Sequence, residues 1–166
     1  MNAILIRDAV EADFECIVRL NAAQEQQTSA MDLARLRHLH GLCSHHRVAE
    51  TSGHVGAFLL AMRSGAAYEN DNFNWFTAQV GDFIYVDRIV VSHELAGLGI
   101  GSALYRDLFA HCRTMAIPAI TCEYNIDPPN PASRAFHDKF GFRELGTQRV
   151  SGGSKLVSLQ AALSGA

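Results

Sequence analysis

Three glycines alternate in the run Leu95-Ala-Gly97-Leu-Gly99-Ile-Gly101-Ser102, directly after the β-branched stretch Ile89-Val-Val91 and directly before a helical pattern. A strand, a glycine-rich turn and a helix start in that order build a cradle for an anion. Glycine takes backbone conformations that a Cβ forbids and lets the chain approach a ligand closely. The first N–H groups of a helix have no partner within it, and the positive end of the helix dipole favours a phosphate. The chemistry expected of Gly97, Leu98, Gly99, Ile100, Gly101 and Ser102 is therefore the holding of a phosphorylated ligand by backbone donors. A glycine-rich turn that binds nothing is the alternative. No Lys-Ser or Lys-Thr follows the glycines, so the run is not a Walker A loop. Its G-x-G-x-G spacing, continued by Ala103 and Leu104, also departs from a dinucleotide fingerprint.

The elements that must position this turn are legible in the pattern. Ala3 to Arg7 reads as a strand, and Glu11 to Ala22 as a helix with Phe14, Ile17, Val18 and Leu20 on its apolar face. Met31 to Cys43 is helical by its recurring leucines, after a polar loop over 24–30. Arg47 to Glu50 and Val55 to Met62 form a hairpin around Thr51-Ser-Gly53. Residues 65–81 show no clear period and read as a long aromatic loop, a feature that is often functional. Phe83 to Ser92 is the central strand, and Gly101 to Ala116 the main helix, with Leu104, Leu108, Cys112 and Met115 on one buried face. Ala119 to Asn125 is a strand. Asn130 as N-cap, Pro131 at the first helical position and Gly141 past the end delimit the next helix. A hairpin of Phe142 to Val150 and Lys155 to Ala162 closes the chain.

Composition narrows the function classes. A chain of 166 residues reads as one domain over 1–166. Its 48% hydrophobic and 19% charged residues are an ordinary globular mix. A net charge of −3 with no basic face argues against nucleic acid. No apolar run approaches the roughly 20 residues of a membrane span. Cys16, Cys43, Cys112 and Cys122 are scattered, as expected of buried reduced thiols in a cytoplasmic protein with no leader peptide. His38, His40, Cys43, His45 and His46 invite a metal reading, but their spacing fits no standard site and no metal is expected.

Two segments carry a family resemblance. Val91 to Leu104 resembles motif A of the GNAT acetyltransferase superfamily: Gly99 and Gly101 fill its two small positions, while Ala96 stands where Arg or Gln is usual. Asn130-Pro-Ala-Ser-Arg-Ala-Phe-His-Asp-Lys-Phe-Gly-Phe142 resembles motif B, with His137 in place of the usual Tyr. The tracts Tyr85 to Ile89, Cys122 to Asn125 and Asp127 to Pro131 look like a bacterial branch of that superfamily. The N-terminal half matches in element order alone. The resemblance implies an α/β (α+β) fold with one mixed, mostly antiparallel central sheet flanked by helices, in the order β-α-α-β-β-β-α-β-α-β-β. It also implies acetyl-CoA as co-substrate and a primary amine of a small molecule, amino acid or peptide as acceptor.

Acetyl transfer needs the thioester held, the amine deprotonated, the carbonyl oxygen stabilised and the leaving thiolate protonated. The resemblance puts the coenzyme A pyrophosphate on Gly97 to Ser102 and the pantetheine arm along the backbone of Ile89, Val90 and Val91, like an added strand. Asn130 and Phe136 match positions that contact the pantetheine end; as residues they are also a helix cap and a core side chain. Arg88, Arg134 or Lys139 could supply the charge that Ala96 lacks. Asp87 and Glu123 are the candidate bases, and a structural pairing, such as Asp87 with Arg88, is the other reading of each. His137 is the candidate acid, with a plain half-exposed helix histidine as its alternative and Tyr124 or Tyr85 as substitutes. Tyr68, Asn72, Trp75, Phe76, Tyr85 and Tyr124 are candidates for the acceptor wall. The 65–81 segment can instead pack on a second copy of the chain in a homodimer. A catalytically weak acyl-CoA-binding regulatory module and an unrelated phosphate-binding α/β protein are the competing functions.

Overall fold

The computed structural model describes residues 3–165. Along them run β1 (Ile4–Asp8), α1 (Phe14–Ala22), α2 (Leu33–Leu42), β2 (His45–Thr51), β3 (His54–Arg63) and α3 (Asp71–Gln79). Then follow β4 (Phe83–Val91), α4 (Ile100–Thr114), β5 (Ala119–Asp127), α5 (Pro131–Asp138), β6 (Arg143–Val150) and β7 (Lys155–Leu163). The strands form a seven-stranded sheet in the order β1-β2-β3-β4-β5-β7-β6. The β1–β2, β2–β3, β5–β7 and β6–β7 ladders are antiparallel, whereas β4 and β5 run parallel. This is the expected α/β class, a mostly antiparallel sheet flanked by helices.

The elements form for local reasons. Ser52 and Gly53 both have positive φ, 52° and 79°, and make the tight turn that joins β2 to β3 with the twist of the hairpin. Asp32 caps α2 by accepting from Arg35 N at 2.7 Å, and Asn130 caps α5 by accepting from Ser133 N at 3.2 Å. Helix α3 departs from the expected loop over 65–81. Asn70 caps it, accepting from the N–H groups of Asn72 and Phe73 at 3.0 Å each. Its residues are middling helix formers, so packing of Phe73 and Phe76, which are buried, and not propensity carries the helix. Met115 is a second correction: α4 ends at Thr114, which leaves Met115 55% exposed, and Tyr105 takes the buried place beside Leu104, Leu108 and Cys112.

The chain divides into two compact units. One runs to Met62 and takes in Val86–His111; the other comprises Arg63–Tyr85 and the chain from Cys112 onward. The first is built on Phe14, Ile17, Leu36, Leu39, Val48, Phe58 and Leu60, all buried. Polar clusters are also held within it. Arg7 pairs with Asp13 at 2.8 Å and Glu50 at 3.0 Å. Asp107 accepts from His45 Nε2 at 3.0 Å and from Arg47 Nε and Nη2 at 3.0 Å each. His40 and His46 share a hydrogen bond between their Nδ1 atoms at 2.8 Å, and Phe14 lies against both rings. The second unit centres on rings: Tyr68, Phe73, Phe76, Phe83 and Tyr85 contact one another at centroid distances of 5.6 to 6.4 Å.

Two predictions follow from this packing. A Cβ at Gly146 would lie 2.7 Å from Cζ2 of Trp75, whose ring edge is braced on Phe76. Gly146→Ala should destabilise the protein by about 1–3 kcal/mol, read as a lower denaturation midpoint; an unchanged midpoint would show that Trp75 moves aside freely. Burial, reinforced by neighbouring imidazoles, pushes His45 and His46 down to about 4. The unfolded chain, with ordinary histidines near 6.5, then binds more protons than the folded one between pH 6.5 and 4. Stability should be level above pH 7, fall as pH drops through that window, and lose nothing more from these groups below pH 4. A melting temperature flat from pH 7 to pH 4 would contradict it. Asp8 and Asp13, held below the usual carboxylate range by Arg47 and Arg7, lose their contribution only at more acid pH.

Candidate active site

Strand β4 carries one residue more than its neighbour needs. Ser64 N donates to Phe83 O and Ser92 N to Gly56 O, both at 2.8 Å. From 64 to 56 one strand advances eight residues, and from 83 to 92 the other advances nine, so β4 contains a bulge. Backbone groups alternate in direction along a strand. With Ser92 turned toward β3, the N–H and C=O of Val91 point to the opposite edge. The β4–β5 ladder covers Phe83–Tyr85 with Ala119–Thr121, and from Cys122 to Asp127 the ladder of β5 is with β7.

The turn after β4 has the geometry of the expected cradle. His93–Leu95 make one tight 3-10 turn, and Gly97 and Gly99 both have φ of +77°. A Cβ at either glycine would meet nothing within 4 Å, so the left-handed backbone, and not crowding, demands glycine there. The first bond of α4 is Ala103 N to Gly99 O at 2.9 Å. The N–H groups of Ile100, Gly101 and Ser102 lie ahead of it, at the N-terminal end of a 15-residue helix. A cleft of about 290 Å³ adjoins the start of this turn, lined by α1 and the following residue pair Ala23-Gln24 on one side and by Ser92, His93 and Glu94 on the other. Arg19 and Gln24 in that lining went unnoticed in the sequence; the helical phase of α1, with Ile17 buried and Arg19 exposed, was the available signal.

The carboxylates differ sharply. Asp87 Oδ2 accepts from Arg88 Nε at 2.7 Å, and both side chains are only 4% exposed. Three further donors of Arg88 go to Asn21 Oδ1 at 3.0 Å and to Ser29 O and Oγ at 3.1 Å each. Arg88 is therefore not available to replace the charge missing at Ala96, and Asp87 is engaged in the structural pair. In the second unit Glu123 is half-buried, and both its oxygens lie 2.8 Å from the hydroxyl of Tyr85. Tyr85 itself has no exposed surface.

His137 sits 4% exposed, its ring against Tyr124, Phe136 and Phe142. Its Nδ1 lies 2.7 Å from the carbonyl of Ser133, which can only accept, so the proton is on Nδ1. Burial pushes the imidazole below its ordinary value, so the ring is neutral and Nε2 carries a lone pair. The ring is therefore not half-exposed, and in this tautomer Nε2 carries no proton. Burial pushes the Tyr124 phenol up, so that hydroxyl stays protonated. Asn130 caps α5, and Phe136 is half-buried against Phe140.

The acceptor-wall residues are mostly interior. Phe76 and Tyr85 have no exposed surface, Tyr68 4% and Tyr124 8%. Asn72 is buried, its Oδ1 accepting from Gln148 Nε2 at 3.2 Å. Tyr68, Asn72, Phe76 and Tyr85 are thus interior side chains, Asn72 and Phe76 on the inner face of α3, while Trp75 keeps a partly exposed ring. Among the described residues no group of three or more His, Cys, Asp or Glu is placed to hold a metal. No helix there is long and apolar enough to cross a membrane. The four cysteines are free, with Cys112 and Cys122 buried and Cys16 and Cys43 less so.

Known proteins share this architecture. Ard1 from Thermoplasma volcanium superposes with a TM-score of 0.78 at 20% identity over 97% of both chains. The ribosomal-protein-S18-alanine N-acetyltransferase from Escherichia coli gives 0.74 at 14% identity, over 97% of this chain and 94% of that one. The ribosomal-protein-alanine N-acetyltransferase from Brucella melitensis gives 0.70 at 23% identity, over 96% and 99%. No curated protein sequence matches. At these identities the superpositions establish the fold alone. The model of the acetyltransferase (GNAT) family matches residues 5–142, which include the whole of β4, its glycine turn and the capped helix α5. The chain belongs to the GNAT acetyltransferase family.

Proposed function

We propose that residues 1–166 act as one acetyl-CoA-dependent N-acetyltransferase domain, moving the acetyl group to a primary amine of a small molecule, amino acid or peptide. The observation that carries this reading is the cradle: two glycines at φ +77° followed by the unused N–H groups of α4. Such donors hold a pyrophosphate without side-chain charge, so Ala96 weakens the site without removing it. The pantetheine arm pairs with the edge of β4 over Ile89–Val91. Glu123 is the base: it takes the amine proton as nitrogen attacks the thioester carbon, with Tyr85 fixing the orientation of the carboxylate. The carbon–sulfur bond then breaks, and the Tyr124 hydroxyl protonates the thiolate. Free cysteines accord with a reducing, cytoplasmic setting.

The neighbours named as ribosomal-protein-alanine N-acetyltransferases make a peptide N-terminal amine the first acceptor to try. The competing reading, an acyl-CoA-binding module with little catalysis, is favoured by Ala96 and by the neutral, buried His137.

Calorimetric titration with acetyl-CoA should show micromolar binding, about −8 kcal/mol, with competition by CoA and none by ATP or NAD. No binding would remove the enzyme and module readings together. Glu123→Gln should lower turnover on a responsive amine by about a hundredfold or more and leave acetyl-CoA affinity within about twofold. Asp87→Asn should instead lower the melting temperature, because it unbalances a buried ion pair. Turnover surviving in Glu123→Gln but lost in a folded Asp87→Asn would move the base to Asp87. Tight binding with no turnover on any amine would favour the module.

A further inference from the structure

The segment after α1 is tied to β4 at two points. Arg88 holds Asn21 and Ser29, and Asn21 Nδ2 donates to Ser29 O at 2.8 Å. Thr28 closes the turn on Gln24 through its N–H, 3.2 Å from Gln24 O. At the head of this turn Gln24 donates its Nε2–H to the carbonyl of Val91. That carbonyl lies on the edge of β4 facing away from β3, because Ser92 N turns toward Gly56 O. It is a backbone acceptor that an extended ligand with amide N–H groups needs in order to join the strand. A side-chain amide already donates to it.

We propose that Gln24 is a positioning residue for the cofactor edge of β4, and that a pantetheine amide displaces it from Val91 and releases the 24–29 turn. The inference rests on the acetyl-CoA reading given above and adds which residue competes with the cofactor and which segment responds. Because the competitor is part of the 24–29 turn, cofactor affinity and order in that turn are linked. Whatever holds the turn closed weakens the cofactor, and the cofactor loosens the turn by the same factor. Arg88 and Asn21 anchor the flanks, so the release is confined to the stretch between them. The same stretch borders the 290 Å³ cleft, so displacement of Gln24 also reshapes that lining.

The test uses the full chain, acetyl-CoA as probe, and two variants, Gln24→Ala and the similarly shaped Gln24→Met, which has no N–H to donate. Losing one hydrogen-bonding competitor should tighten acetyl-CoA binding about three- to tenfold in both. Hydrogen exchange of the 24–29 amides should speed up in the wild type when acetyl-CoA binds. In both variants it should already be fast and unchanged by the cofactor. A role in packing alone would leave Gln24→Met like the wild type and weaken binding in Gln24→Ala; either result overturns the proposal. Equal affinities in wild type and variants, or exchange in 24–29 that slows on binding, overturn it while leaving the acetyl-CoA reading intact. A wild type that binds no acetyl-CoA overturns both.

Discussion

The buried guanidinium of Arg88 is the constraint on which the first unit turns. A full charge removed from water is costly unless it is paired and its hydrogen bonds are met. Here Asp87, its immediate neighbour in the strand, takes the charge, and Asn21 and Ser29 accept from three further donors. Adjacent residues of a strand point to opposite faces, so a direct Asp87–Arg88 contact requires a departure from regular pleating. The extra residue in β4 lies between Phe83 and Ser92, the stretch that contains this pair. One arrangement thus explains several facts together. Asp87 is structural, Arg88 cannot reach for a phosphate, and the chain between α1 and α2 is anchored to the strand that carries the glycine turn.

A strand in this position has two duties that do not compete. Its side chains fill the interior, as Val86 and Val90 do at 3% and 1% exposure. Its backbone past the bulge presents polar groups on the edge away from β3. Ligand recognition through main-chain atoms leaves the side chains free to vary, provided the apolar pattern and the left-handed turn positions persist. Ala96 likewise leaves the left-handed turn at Gly97 and Gly99 in place.

What could be read from the sequence divides along the same line. Backbone constraints leave marks on residue type. Ser52-Gly53, Asn130-Pro131 and the alternating glycines announced a hairpin, a helix start and a tight turn into a helix, and each is present. Interactions set by packing between distant segments leave no such mark. Tyr85 and Glu123 are 38 residues apart in sequence, and nothing local signals that a phenol braces that carboxylate. The helix over Asp71–Gln79 was hidden because Asn, Phe, Trp and Thr carry weak helical preference; its formation depends on the ring cluster it joins. The capping asparagine at position 70 was the one local clue.

His137 shows how far a motif substitution changes chemistry when burial is included. A tyrosine and a histidine can both hydrogen-bond a thiolate in principle. Inside α5, however, the imidazole finds the Ser133 carbonyl one turn back, and that bond fixes the proton on Nδ1. Desolvation then opposes a second proton. The ring is left as an acceptor and a packing surface under Tyr124, whose own burial keeps its hydroxyl protonated. The substitution therefore leaves α5 with no proton to give at this position, while the neighbouring Tyr124 hydroxyl keeps its own.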